Sequence, residues 1–304
     1  MSKIAFVFPG QGSQYVGMGK ELYENSKEAR EEFDNIFSKI DFDLKKIMFE
    51  GPEEELKQTK NTQPAIVALS LVLEKLLKNK GINPDFVAGH SVGEYAAIGS
   101  AGFLTLDDTV KLTVARGQAM NEVSQKVNGG MAAVLGMTAE KIIETLKGVD
   151  EVVEAVNFNE PMQTVIAGTM GGIEKACNIL KEAGAKRAIP LAVSGPFHSS
   201  LMKPAGEILK EEVKKYSFND ANIPLVINTT AEIITEKGKI IDEIYNQSFG
   251  PVKWVETIET LKKNGVTKIY EIGAGKVLAG LIKKIDKEIE IKNIETLEDL
   301  ENLL

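Results

Sequence analysis

The segment Asp85–Ala101, DFVAGHSVGEYAAIGSA, places a short apolar run directly before a stretch of small and apolar residues. The first part is typical of a buried strand, and Val92–Ala101 is typical of a helix. Between them, Gly89-His90-Ser91-Val92-Gly93 matches the pattern G-x-S-x-G. In a tight strand-to-helix turn this pattern exposes the serine hydroxyl above the sheet, which makes Ser91 a candidate nucleophile. The alternative is an ordinary turn in which Ser91 only caps the helix.

On both sides of this segment, short apolar runs alternate with amphipathic stretches, which is the pattern of a parallel α/β architecture. Asp107 is the expected N-cap of one long helix, and Gly102 is expected to end the helix that follows Ser91. The predicted strands are Ile4–Phe8, Asp85–Ala88 and Lys268–Ile272, and the predicted helices are Gln63–Lys80, Val92–Ala101, Asp107–Val127 and Val277–Ile285.

The order of elements changes between residues 128 and 190. There the pattern predicts βαββαβ, the split βαβ arrangement of a ferredoxin-like unit. We therefore predict that residues 1–127 and 191–304 form a large α/β domain and that residues 128–190 form a small subdomain inserted into it. The strands expected in the insertion are Met131–Leu135, Val152–Phe158, Gln163–Ala167 and Lys186–Ile189, and the helices are Thr138–Lys147 and Gly171–Ala183.

The composition excludes several classes of protein. The 304 residues carry a net charge of −8, which disfavours binding to nucleic acid or to an anionic membrane surface. One cysteine and two histidines cannot supply a disulfide or a Cys- or His-rich metal site, so no metal is predicted. No apolar stretch approaches the roughly 20 residues that span a bilayer. We expect a cytoplasmic protein.

A serine nucleophile needs a base, and the histidines are His90 and His198. His90 is adjacent to Ser91 on the turn, so its side chain is expected to point away and pack beneath the turn. His198 lies in the turn-rich loop Ser194–Ser199, and such loops often carry catalytic residues. No acidic residue lies close to His198 in sequence, so a backbone carbonyl or an amide could orient its imidazole. The alternative is a solvated loop histidine.

Arg116 lies on the apolar side of its predicted helix. Leu112 and Met120, one turn before and one turn after it, are apolar. A guanidinium that faces inward requires a carboxylate partner, either from the protein or from a ligand. An internal salt bridge or a side chain that reaches solvent is the plainer alternative.

A glycine-containing loop, Pro9–Gln14, follows the first predicted strand. It does not match the dinucleotide fingerprint G-x-G-x-x-G, because Tyr15 occupies the position of the last glycine. A loop of this kind at the end of a strand can still donate backbone N–H groups to an oxyanion. A plain turn is the alternative.

A set of short motifs resembles the malonyl-CoA:acyl-carrier-protein transacylases, over nearly the whole chain and in the order found in that family. The family combines an α/β-hydrolase-like large domain with a ferredoxin-like small domain, in agreement with the organisation predicted above. The motifs are Pro9–Gln14, Thr62–Ala65, Gly89–Tyr95, Arg116–Met120, Val156–Asn159, Gly195–His198 and Gln247–Trp254.

The resemblance implies a ping-pong acyl transfer. Ser91 would attack the malonyl thioester, and His198 would take its proton and later return it to the leaving thiol. The backbone N–H groups of Gln11 and Val92 would form the oxyanion hole. The backbone carbonyl of Gln247 would orient the imidazole in place of a triad aspartate.

The resemblance also implies the substrates. Arg116 would hold the malonyl carboxylate in a bidentate pair, and Asn157 and Phe197 would line the acyl pocket. The substrates would be malonyl-CoA and the phosphopantetheine thiol of acyl carrier protein, with no bound cofactor, in fatty-acid biosynthesis. We expect a monomer.

Two other functions remain open from the residues themselves. An α/β-hydrolase-type esterase or thioesterase would use the same serine, but it would need no carboxylate clamp and would usually carry an acid between the serine and the histidine in chain order. A non-catalytic acyl-CoA-binding module would not need Ser91, His198 and Arg116 together.

Overall fold

Two β-sheets organise residues 2–303, the part of the chain that the computed structural model describes. The strands are β1 (Lys3–Phe8), β2 (Phe86–Gly89), β3 (Gly129–Leu135), β4 (Val153–Glu160), β5 (Gln163–Thr169), β6 (Arg187–Pro190), β7 (Leu225–Val226), β8 (Ile233–Ile234), β9 (Val266–Ile272) and β10 (Glu290–Ile294). The helices are α1 (Lys20–Asn25), α2 (Lys27–Phe37), α3 (Leu44–Glu50), α4 (Glu53–Leu56), α5 (Thr59–Asn79), α6 (Gly93–Ala101), α7 (Leu106–Lys126), α8 (Ala139–Leu146), α9 (Met170–Glu182), α10 (Lys203–Glu212), α11 (Lys237–Gln247), α12 (Trp254–Lys263), α13 (Val277–Ile285) and α14 (Leu297–Glu301).

The larger sheet has the strand order β10-β9-β1-β2-β7-β8. Its neighbouring strands are parallel except for β7 and β8, which are antiparallel. The apolar strand β2 is buried along its whole length, as expected for a strand covered by helices on both faces. Parallel strands end at the same edge of a sheet, so the loops after β1, β2 and β7 lie side by side, and this edge carries the site.

The smaller sheet has the order β4-β5-β3-β6, with every neighbouring pair antiparallel. Helices α8 and α9 cover one face of it, where Val134, Ile142 and Leu180 belong to a separate apolar cluster. The other face contributes Met131 and Val165 to the main core. This is the predicted ferredoxin-like order of elements, and the fold class predicted from the sequence is confirmed. The domain bounds at residues 127–128 and 190–191 stay a prediction.

The long helix α5 begins one turn earlier than the predicted start at Gln63. The structure instead begins the helix at Thr59 and keeps Pro64 inside it. The backbone N–H groups of Asn61 and Thr62 both donate to Gln58 O, which forms the additional turn.

The predicted N-cap of α7 is wrong. The helix begins at Leu106, and its N-cap is Thr105 rather than Asp107. The Thr105 hydroxyl accepts a hydrogen bond from the N–H of Asp108 at 3.2 Å. Asp107 lies in the first turn and forms an ion pair with Lys39 at 2.9 Å. Both residues are good caps, and only the backbone geometry before the helix decides between them.

Replacing the true cap should destabilise the protein more than replacing the predicted one. Thr105→Ala removes an acceptor for a free helix N–H and should lower the free energy of unfolding by about 1 kcal/mol. Asp107→Ala loses a half-exposed ion pair, which typically contributes less than about 1 kcal/mol. Denaturant unfolding of both variants measures the difference. Equal losses, or a larger loss for Asp107→Ala, would contradict the assignment of Thr105 as N-cap.

Candidate active site

Ser91 lies in the tight turn between β2 and α6. Its φ is 53°, in the left-handed region that residues with a side chain rarely adopt. Glycines on both sides make this turn possible. A Cβ at Gly89 would lie 2.0 Å from the carbonyl carbon of Gly93, and a Cβ at Gly93 would lie 2.1 Å from Phe8 O. The G-x-S-x-G segment therefore forms the sharp strand-to-helix turn that its sequence predicts.

His198 is hydrogen-bonded to Ser91. The distance from Ser91 Oγ to His198 Nε2 is 2.7 Å. On the other side of the ring, His198 Nδ1 lies 2.9 Å from the carbonyl oxygen of Gln247 and 3.2 Å from that of Gly250. Carbonyl oxygens only accept, so Nδ1 carries the proton and Nε2 is free to accept the serine proton. The structure thus orients the imidazole by backbone carbonyls rather than by an acidic side chain.

His90 points away from the serine hydroxyl, as expected. Its Nε2 is 2.8 Å from Asn159 Oδ1, and its ring packs edge-on against Trp254 at 5.5 Å between centroids. The turn leaves no room around it, because a Cβ at Gly10 would lie 2.6 Å from His90 O. His90 is therefore held by Asn159 and Trp254 rather than by Ser91, although it also forms part of the cavity wall.

The imidazole of His198 is neutral at physiological pH. Burial lowers its pKa to about 3, and the nearby positive charge of Arg116 is the second cause. His198 is only 3% exposed. A neutral imidazole with a free Nε2 is the form that accepts a proton from a nucleophile.

Arg116 is fully buried on α7 and has no carboxylate partner among residues 2–303. Its Nη2 donates to Gln247 Oε1 at 2.9 Å and approaches Ser91 Oγ at 3.4 Å. Its Nε and Nη1 have no hydrogen-bond partner in that range of residues. The guanidinium also lies 5.1 Å from the centroid of the Tyr95 ring. An internal salt bridge is therefore not what satisfies this arginine, and two of its donors remain available to an anionic ligand.

These groups open into one cavity of about 90 Å³. Its wall includes Asn157 and Phe197, the two residues that the family resemblance assigns to the acyl pocket. Asn157 Oδ1 is buried and has no partner in the described part of the chain. The lining residues are Gln11, Gln63, His90, Ser91, Arg116, Met120, Met131, Asn157, Leu191, Val193, Phe197 and His198.

The two backbone groups predicted for the oxyanion hole are adjacent to this cavity. Gln11 lines it, and Val92 directly follows Ser91 at the N-terminal end of α6. In the hydrogen bonding of residues 2–303, the N–H groups of Gln11 and Val92 donate to no protein acceptor. Free N–H groups at the start of a helix are suited to a developing negative charge.

The sequence reasoning missed the buried polar residues behind the site. The Gln247 side chain, for which only the carbonyl was assigned a role, donates from Nε2 to Ser91 O at 2.8 Å and to Glu94 Oε2 at 2.7 Å. Burial and the neighbouring Glu243 raise the pKa of Glu94. A charged residue within an otherwise apolar helix was an available signal for Glu94. Asn228 gave no signal, because it follows the two-residue strand β7.

Residues 2–303 contain no group of three or more His, Cys, Asp or Glu side chains placed to hold a metal ion. Within the same residues, no helix is both long and apolar enough to cross a membrane.

A serine–histidine pair at a strand-to-helix turn, beside a buried guanidinium with no carboxylate partner in residues 2–303, is the arrangement of a serine acyltransferase site. In agreement, the model of the acyl transferase domain family matches residues 5–296, so the chain belongs to that family. It is 47% identical to the malonyl CoA-acyl carrier protein transacylase of Bacillus subtilis (strain 168), over 98% of this chain and 96% of that protein. It is 42% identical to the protein of the same name from Staphylococcus aureus (strain MRSA252), over 99% of this chain and 98% of that one.

Solved structures of malonyltransferases share the fold of this chain. An acyl-carrier-protein S-malonyltransferase from Burkholderia pseudomallei 1710b has a TM-score of 0.95 at 42% identity, covering 99% of this chain and 98% of the other. A malonyl-transacylase solved in complex with its type II PKS acyl-carrier protein has a TM-score of 0.96 at 37% identity, covering 100% and 99%. Within the acyltransferases, the chain belongs to the malonyl-CoA:acyl carrier protein transacylases.

The histidines should not titrate near their ordinary pKa. Burial lowers the pKa of His198 to about 3, so its ring should stay neutral as the pH falls from about 8 to about 5, and burial also lowers the pKa of His90 below its ordinary value. Because Arg116 contributes to the lowered pKa of His198, Arg116→Gln should shift that pKa upward. Ring nitrogen chemical shifts measure both effects, and with two histidines in the chain His198→Ala assigns the signals. A His198 signal that titrates near pH 6.5 in the unmodified protein would contradict the assignment.

Proposed function

We propose that this protein transfers the malonyl group of malonyl-CoA to the phosphopantetheine thiol of acyl carrier protein through a malonyl-serine at Ser91. The observation that carries the proposal is Arg116, whose buried Nε and Nη1 lack partners in the described residues and whose Nη2 lies 3.4 Å from Ser91 Oγ. A malonyl group differs from most acyl groups by a terminal carboxylate, which matches a planar guanidinium. The names of the relatives support the same substrate and acceptor.

In the first half-reaction, Ser91 Oγ attacks the thioester carbonyl carbon while its proton passes to His198 Nε2. The imidazolium that forms keeps its Nδ1–H on the Gln247 carbonyl, 2.9 Å away. Collapse of the tetrahedral intermediate breaks the carbon–sulfur bond, and His198 returns the proton to the departing thiolate of CoA. The products are malonyl-Ser91 and CoA.

The oxyanion of the tetrahedral intermediate would be bound by the N–H groups of Gln11 and Val92, which have no other acceptor in residues 2–303. Donors that are already in place stabilise the charge as it develops without reorganisation. The N-terminal end of α6 adds the positive end of a helix dipole.

In the second half-reaction, the phosphopantetheine thiol replaces CoA in the site. His198 takes the thiol proton, the sulfur attacks the malonyl-serine ester, and Ser91 Oγ leaves with the proton from His198. The enzyme returns to its starting state, with no redox step and no cofactor. We further propose that this transfer supplies fatty-acid biosynthesis. The monomeric state and the cytoplasmic location expected from the sequence stay predictions.

The esterase alternative is less well supported than the transferase. A hydrolase has no use for an arginine that faces the acyl group, and the relatives named above are transacylases. The non-catalytic alternative does not explain a hydrogen bond of 2.7 Å between Ser91 and a neutral His198.

Incubation with malonyl-CoA should add one malonyl group to Ser91. Intact mass followed by peptide mapping detects the adduct, and Ser91→Ala should abolish it. His198→Ala should slow the acylation by on the order of 10²–10⁴, which is the usual contribution of a general base.

Ser38→Ala is a matched control, because Ser38 is exposed at the end of α2, does not line the cavity, and donates its hydroxyl proton to Asn35 O. It should be malonylated at the unmodified rate. A malonyl adduct that persists in Ser91→Ala would refute the assignment of the nucleophile. Rapid loss of malonyl-CoA in water without a thiol acceptor would favour the hydrolase.

Arg116 should determine the choice between acyl groups. Loss of one partner of a buried charge pair costs about 2–5 kcal/mol, so Arg116→Ala should lower kcat/KM for malonyl-CoA roughly 30-fold to several thousand-fold. Acetyl-CoA has no carboxylate, so its kcat/KM should change little or rise. Arg116→Lys should recover only part of the loss, because an ammonium cannot form the two parallel bonds.

Arg30→Ala is the matched control for Arg116, because the Arg30 side chain is exposed on α2 and donates to the backbone carbonyls of Tyr23 and Glu24 on α1. The comparison uses kcat/KM for both thioesters, with thermal melts to check folding. If a well-folded Arg116→Ala loses activity equally with both substrates, Arg116 has only a structural role.

A further inference from the structure

One asparagine side chain makes two hydrogen bonds to the backbone of the strained turn that carries Ser91. Asn228 Oδ1 accepts the N–H of Ser91 at 2.8 Å, and Asn228 Nδ2 donates to Gly89 O at 2.6 Å. The residue is fully buried. Its acceptor and its donor are thus both used by the backbone of the turn.

The fold brings Asn228 to this position. Strand β7 pairs in parallel with β2, with Ala88 opposite Val226, so the two chains leave the sheet side by side. Ser91 follows one strand and Asn228 follows the other. The backbone of Asn228 is itself fixed, since its N–H donates to Glu94 Oε1 at 2.7 Å and its carbonyl accepts the N–H of Lys253 at 3.0 Å.

A serine with φ of 53° is in a sparsely populated conformation, which persists only where the surroundings determine it. The two bonds from Asn228 hold the peptide groups on either side of His90, including the one that carries the Ser91 N–H. The Ser91 carbonyl, on the other side of this residue, accepts from Gln247 Nε2 and from the N–H of Glu94, so the two sets of bonds together determine the angle. The bonds from Asn228 also occupy the Ser91 N–H, so the free N–H next to the nucleophile is that of Val92.

We propose that Asn228 is a positioning residue for the acylation of Ser91: it fixes the peptide group that enters the left-handed turn, and thereby helps to place the serine hydroxyl toward His198 and the Val92 N–H toward the oxyanion. This inference rests on the proposed function. Asn228 does not line the cavity, so it acts through Ser91 rather than on the substrate.

The donor and acceptor pattern gives a specific test. Asn228→Ala removes both bonds. Asn228→Asp keeps the acceptor, but it supplies a donor toward Gly89 O only while the new carboxyl is protonated. Glu94 on α6 and Glu243 on α11 are acidic neighbours that favour the protonated form, whereas the Arg116 charge on α7 favours the ionised form. The neutral acid reproduces the asparagine pattern, and the carboxylate does not.

The experiment measures the rate of Ser91 malonylation by rapid quench and intact mass, at saturating and at low malonyl-CoA. Asn228→Ala should lower the saturating rate about 10²-fold, the scale of a small misplacement of a reacting group, with a much smaller change in KM. Asn228→Asp should be faster at about pH 6 and should lose rate as the pH rises to about 8, whereas the unmodified protein should not lose rate over that interval.

Asn293→Ala is the matched control. Asn293 lies on β10, and its Nδ2 donates to Oε2 of the buried Glu271 on β9 at 2.7 Å. This variant therefore also loses a hydrogen bond to a buried group, but it leaves the turn at Ser91 unchanged. It should lower the melting temperature without lowering the saturating rate. Thermal melts of all variants separate loss of folded protein from loss of rate.

The outcomes distinguish the positioning role from the proposed function. If the unmodified protein forms no malonyl-Ser91, the proposed function is wrong and the inference fails with it. If the unmodified protein is malonylated and a folded Asn228→Ala is malonylated equally fast, only the inference is overturned. If Asn228→Ala does not fold, the pH profile of Asn228→Asp decides, and a profile parallel to that of the unmodified protein overturns the inference.

Discussion

The close packing of β1, β2 and α6 at Gly89 and Gly93 is the constraint on which the site depends. A Cβ at Gly93 would lie 2.1 Å from Phe8 O, so the start of α6 rests directly on the end of β1. This contact forces the chain to turn sharply at Ser91. It also brings the N-terminal end of the helix to the loop after β1, so the nucleophile and the proposed oxyanion donors are neighbours. The loop after β7, with Asn228, reaches the same edge because β7 pairs in parallel with β2.

Much of this organisation could be predicted because the deciding signals are local. The predicted helix Val277–Ile285 matches α13 at both ends, and the ferredoxin-like order of strands and helices was correct between residues 128 and 190. Long amphipathic or apolar stretches determine such elements whatever surrounds them. The G-x-S-x-G turn is similar, since the requirement for glycine at both ends comes from sterics within a few residues.

The remainder depended on the local path of the backbone or on contacts between distant residues. Thr105 rather than Asp107 caps α7 because of the path of the chain before the helix, which composition does not reveal. Asn228 contacts Ser91 across 137 positions of sequence, and nothing near it in the chain marks it as part of a site. For Arg116 the sequence indicated an unusual position but left the partner open. The structure was needed to exclude a protein carboxylate among residues 2–303.

The positive charge of Arg116 serves the proposed carboxylate clamp and also lowers the pKa of the base, His198. After burial, Arg116 is the second cause of the lowered pKa of His198. A carboxylate paired with the guanidinium would offset that charge, so the imidazole would become a stronger base when the correct acyl group is bound. An acyl group without a carboxylate would leave the guanidinium uncompensated beside Ser91 Oγ and the imidazole weakly basic. Pairing of the substrate carboxylate with Arg116 would therefore raise the rate of the chemical step. Binding energy of this kind contributes to kcat as well as to affinity.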